Sequence, residues 1–261
     1  MKKSIINRDF PDKKAIIAAQ GDITYTQLLS NSAQFASIFK DKGFSKVAIY
    51  AENSPAWIYA FYAALQNNCI AVPIDFLASA EDVAYIIDDC RPELLFICEG
   101  MKESFGKVEK QISHKPEILV FEQINLTDKT VENEWLGPED DNTTAVIIYT
   151  SGTTGSPKGV MLSYTNIIQN MIAVIDCKIF TPDRQVMIFL PLHHVFPLVG
   201  SLMVPFYVGT TIVMAPSMQS SDLLKTFAEN QVGVFLGVPR LYELMYKGIK
   251  AKIDKSAVGK V

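Results

Sequence analysis

The sequence has no large excess of charge of either sign. Its 261 residues carry 24 Lys and Arg against 28 Asp and Glu, a net charge of −4 at pH 7. That excludes a generally basic nucleic-acid binder, though not a local basic site. Cysteine is scarce: Cys69, Cys90, Cys98 and Cys177 form no C-x-x-C pair. A disulfide framework and a structural zinc site are therefore poor readings. Buried free thiols in a reducing, cytoplasmic compartment are the simplest account. Residues 1–9 contain no apolar run long enough for a signal peptide. Long hydrophobic runs are also missing. Residues 185–221 carry no Asp, Glu, Lys or Arg, but Pro191, Pro197, Pro205 and Pro216 break this stretch, as do Gly200 and Gly209. A membrane helix needs about 20 uninterrupted apolar residues, so a buried strand–helix–strand unit is expected instead. There is no internal repeat and no low-complexity tract.

Hydrophobic residues make up 49% of the chain and charged residues 20%, the balance of a globular protein. The length suits one large domain or two small ones, with a sizeable core. Helical and strand signals alternate along it. Thr26–Lys42 places Leu28, Leu29, Ala33, Ala36 and Phe39 on one helical face, with Gly43 as the stop. Lys46–Ala51 is a short strand. Ser54 is a helix N-cap with Pro55 in the first turn, and that helix runs to about Asn67. Cys69–Ile74 is the next strand. Ser79–Asp82 resembles a capping box opening a helix that ends before Pro92. Strands follow at Leu94–Cys98 and Ile118–Phe121, then an acidic surface connection over 122–142. Ala145–Thr150 is a strongly apolar strand. A helix over Tyr164–Asp176 turns Ile167, Ile168, Met171, Ile172 and Ile175 inward. Strands at Val186–Leu190, Thr211–Met214 and Val232–Leu236 alternate with helices, and a helix over Pro239–Lys252 closes the series. Such repeated units predict an α/β fold of parallel sheets covered by helices.

The strand at Ala145–Thr150 runs into Ser151-Gly152-Thr153-Thr154-Gly155-Ser156-Pro157-Lys158-Gly159. Glycines let the backbone bend and present N–H groups closely, hydroxyls add donors, and the lysine adds a mobile charge. At the carboxyl end of a strand this composition suits nucleotide phosphates. It is not a Walker A loop, because Pro157 precedes Lys158 and Gly159 follows it. The chain contains neither G-x-G-x-x-G nor G-x-S-x-G. On composition alone, a plain Ser/Thr/Gly turn remains the alternative.

The string YTSGTTGSPKGVMLSYTNI resembles the signature loop of the adenylate-forming superfamily, which includes acyl-CoA synthetases, luciferases and peptide-synthetase adenylation domains. Residues 23–28, 47–57 and 71–75 match the family in order and spacing, as do Pro191–Phe196 and Gly237–Glu243. The last string is most similar to long-chain fatty acyl-CoA synthetases. The resemblance spans about residues 10–253.

The resemblance implies an enzyme that joins a carboxylic acid to a thiol in two half-reactions. The acid first attacks ATP, aided by Mg2+, to give an acyl-adenylate; coenzyme A then takes the acyl group. A fatty acid is the expected substrate, with aryl acids and acyl-carrier-protein acceptors as alternatives. Thr150, Ser151, Gly152, Thr153, Thr154, Gly155 and Lys158 are implied to hold the β- and γ-phosphates. His194 is implied to shape the acyl and adenylate site, and Phe196 to line the pocket. Adjacent histidines project differently from a helix, so at most one faces the ligand, and His194 is favoured over His193. A helix-start pair bonded to backbone groups is the alternative. Arg240 suits a structural bond as well as a ligand role. His114 reads as a solvent-exposed loop residue.

The superfamily also implies αβαβα layers. Residues of about 44–180 are expected to build the first sheet, and about 14–43 with 181–261 a second, incomplete one. Residues 1–261 are thus expected to form part of an N-terminal AMP-binding domain, without the barrel and C-terminal domain. The Tyr-Gly-x-Thr-Glu motif, with its magnesium-binding glutamate, does not occur in these residues, nor do the ribose aspartate and adenylation lysine. No metal ligand is therefore assigned, and the 261 residues alone are expected to be inactive. An open sheet edge predicts self-association. Peripheral membrane contact is left open, and no nucleic-acid partner is expected. The reading from another class is a non-catalytic nucleotide-binding or interaction module.

Overall fold

The structure, a computed structural model, describes residues 6–131, 138, 140–150, 155–217 and 219–255. It opens on a hairpin that the sequence did not reveal, an antiparallel pair of β1 (Lys14–Ala18) and β2 (Gly21–Thr24). Thr24 then caps α1 (Tyr25–Ser37) through a reciprocal capping box with Gln27. The helix expected to reach Lys42 ends at Ser37. From there Ile38, Phe39 and Lys42 donate to carbonyls three residues back, a tightened turn that closes on Gly43 at φ +67°.

Next come β3 (Lys46–Tyr50), α2 (Pro55–Gln66) and β4 (Ile70–Ile74). Ser54 Oγ accepts from the Trp57 amide, and Pro55 fills the first turn, as expected. Ser79 likewise caps α3 (Ala80–Cys90), which Arg91 closes in the left-handed region. β5 (Leu94–Ile97), α4 (Lys102–Val108) and β6 (Glu117–Val120) follow. The sequence reading missed α4, whose Gly106 and mixed charges blur its period; burial of Phe105 and Val108 defines its inner face. The described residues of the connection after β6 (122–131, 138 and 140–142) are exposed or half-buried, as expected, while 132–137 and 139 lie outside the described residues. The connection is tied to α1 where the Thr127 amide donates to Gln34 (2.8 Å) and the Val131 amide to Ser30 (3.0 Å).

β7 (Thr144–Thr150) and β8 (Lys158–Ser163) form a second antiparallel pair, followed by α5 (Tyr164–Asp176). After β9 (Gln185–Ile188), the short helix α6 (Val195–Pro197) passes into a π-helical segment at Leu198–Met203 and then α7 (Val204–Val208). Pro205 lacks the N–H that an α-helix would direct at Ser201, which accompanies the widened turn. β10 (Thr211–Met214), α8 (Ser220–Asn230), β11 (Val234–Phe235) and α9 (Pro239–Lys255) complete the described chain.

Two sheets result, in the orders β6-β5-β3-β4-β7-β8 and β11-β9-β10-β1-β2. They are parallel, as expected, except that each ends in one antiparallel strand, β8 or β2, because a hairpin joins it to its neighbour. Alternate residues of β3 sort the layers. Val47 and Ile49 join one core with α1, α2, α5 and inner residues of the other sheet, including Ile16, Val186 and Ile212. Ala48 and Tyr50 face α3 and α4. On the second sheet, Met187 packs outward with Leu223 of α8 and Leu241 of α9. The layers therefore run helices, sheet, helices, sheet, helices, with no closed barrel among the described residues. The uncharged 185–221 stretch supplies β9, the π segment and β10, nearly all buried. In both sheets the strand order reverses, between β3 and β4 and between β9 and β10, and such reversals open crevices at the carboxyl ends.

Candidate functional site

The phosphate-loop candidate is built on the β7–β8 hairpin. Thr150 stands opposite Lys158 and Tyr149 opposite Gly159, so the chain leaves and re-enters the sheet at one point. Ser151, Gly152, Thr153 and Thr154 lie outside the described residues. Gly155 has φ +104°, a conformation that disfavours side chains, and an added Cβ would meet nothing within 4 Å. Lys158 is exposed. The stem is rigid below the loop. The Tyr149 hydroxyl donates to Asp89 at the end of α3, while burial, then that carboxylate, pushes the phenol pKa up.

The histidine segment leaves β9 at the other sheet's reversal. His193 is buried, with Nε2 3.5 Å from Asp75 Oδ1 and its ring edge-on to Phe76. Burial pushes its pKa down to about 4, against the pull of Asp75 and with the help of neighbouring His194. A neutral imidazole results at pH 7. His194, at the N-cap position of α6, is exposed, so of the two histidines only it reaches solvent. Phe196 is 53% exposed and lines a cavity of about 810 Å3. The same cavity takes in Leu162 of β8, Ile167 of α5, Phe180, Val199 of the π segment and Leu236 after β11. It thus joins the strand that carries Lys158 to the segment that carries His194. Gly200 makes room for it, since a Cβ there would lie 2.5 Å from Leu236 Cδ2.

Several expectations are corrected. His114 is half-buried, not exposed; its Nε2 donates to the Pro92 carbonyl (2.6 Å), and its amide to Asp88 (2.7 Å). Cys69 and Cys90 are buried thiols, but Cys177 is exposed and Cys98 half-buried. The α5 face is narrower than expected: Ile167 and Met171 are buried, while Ile168, Ile172 and Ile175 are partly open. Arg240 is exposed in the first turn of α9. The sequence reading assigned no role to Asn53 or Asp75, although Asp75 directly follows a clearly read strand and Asn53 stands two residues past another. Asn53 donates through Nδ2 to the Leu190 carbonyl (2.8 Å) and accepts at Oδ1 from the Leu192 amide (3.0 Å).

The AMP-binding enzyme family model matches residues 6–259. The chain belongs to this family. Similar proteins include the mitochondrial malonate–CoA ligase of Homo sapiens, 28% identical over 246 residues that cover 89% of this chain and 42% of that protein. A long-chain-fatty-acid–CoA ligase of Xenopus laevis is 27% identical over 280 residues, covering 95% and 38%. The chain therefore spans less than half the length of these curated relatives. Among solved structures, the AMP complex of O-succinylbenzoate coenzyme A synthetase from Bacillus subtilis has a TM-score of 0.80 at 22% identity, covering 92% of this chain and 62% of that one. The layered fold is that of the N-terminal domain of adenylate-forming enzymes.

Proposed function

We propose that this chain carries the phosphate-gripping part of an ATP-dependent acid–CoA ligase whose substrate is a long-chain fatty acid. The observation that carries the reading is the β7–β8 hairpin, with Thr150 paired to an exposed Lys158 around a hydroxyl- and glycine-rich loop. A carboxylate oxygen attacks the α-phosphorus of ATP. An acyl C(O)–O–P bond forms, the Pα–O–Pβ bond breaks, and pyrophosphate leaves with the bonding electrons. Thr150, Ser151, Gly152, Thr153, Thr154, Gly155 and Lys158 hold the β- and γ-phosphates and neutralise the leaving charge. His194 contacts the carboxylate or α-phosphate. Coenzyme A thiol then displaces AMP from the acyl carbon.

The cavity supports an apolar acyl group over a short diacid. Among the described residues no charged side chain lines it, so a second carboxylate there would lack a described partner. Mg2+ is the family's expected companion of ATP. Among the described residues no group of three or more His, Cys, Asp or Glu is placed to hold a metal. The four cysteines, all free thiols, support a reducing, cytoplasmic setting. No described helix is long and apolar enough to cross a membrane.

Calorimetric titration of ATP tests the reading. Lys158→Ala should weaken binding about tenfold, the scale of one charge-assisted hydrogen bond, with the melting temperature kept. Unchanged affinity would make Lys158 a surface charge. The 261 residues alone should give no ATP–pyrophosphate exchange, and measurable exchange would overturn that part.

A further inference from the structure

Two hydrogen bonds from one side chain join the carboxyl edges of the two sheets. Asn53 stands just past β3, at the strand reversal of the six-stranded sheet, and grips the Leu190 carbonyl and the Leu192 amide beyond β9. Its own backbone is fixed, because Ser54 caps α2 and residues 57–65 of that helix are all buried. On the far side it holds the peptide groups flanking Pro191, whose ring locks φ and leaves the loop little freedom. The His194 amide then donates to the Pro191 carbonyl (3.3 Å), and the His194 carbonyl accepts from Leu198 (3.0 Å). An unbroken chain of bonds thus runs from Asn53 to the start of α6.

We propose that Asn53 is a positioning residue for His194: its amide bridges the two sheet edges and sets where the histidine segment stands over the crevice. The part that concerns ligand rests on the ligase reading; the part that concerns the loop does not. Asn53 touches no reacting atom and acts through the 190–194 backbone. The groups facing the neighbouring His193 are Asp75, Phe76 and His194.

The chain has three histidines, so each imidazole is separable by NMR. In Asn53→Ala, the His194 signals should move. The His193 midpoint should rise from about 4 towards the ordinary value of 6.5 as the segment lifts and the imidazole gains water, the relief of burial outweighing the lost pull of Asp75. His114, bonded at Pro92, should stay unchanged and serve as the internal control. An alkyl acyl-sulfamoyl adenosine, a stable mimic of the acyl-adenylate, should bind the variant about tenfold more weakly. Asn53→Asp keeps the acceptor for Leu192 and removes the donor to Leu190. It should give an intermediate shift, and it carries the test if the alanine variant does not fold. Histidine signals that match the unaltered chain in both variants would overturn the inference. Moved signals with undiminished mimic affinity would overturn the positioning role. Failure of the unaltered chain to bind the mimic would overturn the ligase reading, while the histidine signals would still decide whether Asn53 sets the loop.

Discussion

Gly159 lies flat against the ring of Tyr149, its partner across the β7–β8 pair: a Cβ built on Gly159 would sit 3.1 Å from Tyr149 Cζ and 3.0 Å from Ile147 Cγ2. Ile147 is buried and β-branched, and the Tyr149 hydroxyl is held by Asp89, so neither neighbour yields easily. The glycine next to the lysine is therefore a packing requirement of the loop's stem. Gly159→Ala should destabilise the fold by about 1–3 kcal/mol through overpacking, read as a lower urea midpoint with unchanged slope. A neutral or stabilising result would show that the Tyr149 ring moves freely.

The four thiols should separate by reactivity. Burial pushes Cys69 up to about 11 and Cys90 up to about 12, so both stay protonated and shielded at pH 8. Cys177 is exposed, its Sγ donating only a long bond to the Ala173 carbonyl (3.4 Å). Brief alkylation at pH 8 followed by peptide mapping should label Cys177 first and leave Cys69 and Cys90 untouched. Early labelling of Cys90 would mean that the end of α3 opens far more readily than its packing suggests.

Acid should weaken the fold through His193. Its folded pKa of about 4 lies below the unfolded value of about 6.5, so between these pH values the unfolded chain binds the extra proton. The contribution is fully present above pH 6.5 and is lost as pH falls towards 4. Full loss would be on the order of 3 kcal/mol, at 1.36 kcal/mol per pKa unit. Urea unfolding at pH 7, 5.5 and 4.5 should show a shallower decline for His193→Gln than for the unaltered chain. Parallel declines would place the acid sensitivity elsewhere.

Self-association is expected of the 261 residues in isolation. Tyr242, Tyr246, Ile249 and Ile253 form an exposed apolar stripe along α9, and Val160 and Met161 are exposed on the edge strand β8. Open strand edges and contiguous apolar patches favour contact with a second copy. Sedimentation velocity over a hundredfold concentration range should show a rising weight-average coefficient. A strictly monomeric profile throughout would refute it. Tyr246→Lys should reduce the association if the helix stripe carries it.

Local chemistry determined much of this protein before any contact was known. Ser54 with Pro55, and the period of Tyr164–Asp176, sit in their own neighbours, so those elements could be read directly. The loop at 150–159 was legible through its resemblance to a family signature string, whereas its hydroxyl and glycine content alone left a plain turn open. What the tertiary structure decided includes both short-range geometry and contacts between residues far apart in sequence. β2 and β8 turn antiparallel because of hairpin geometry, and a π segment forms across Leu198–Met203. Most of all, the sequence favoured His194 over His193 as the outward-facing member of the pair, but only the fold shows one sealed against Asp75 and the other standing open. That difference depends on where β4 and β9 end relative to each other, which is set by the packing of two sheets on shared helices and is written in no single stretch of the chain.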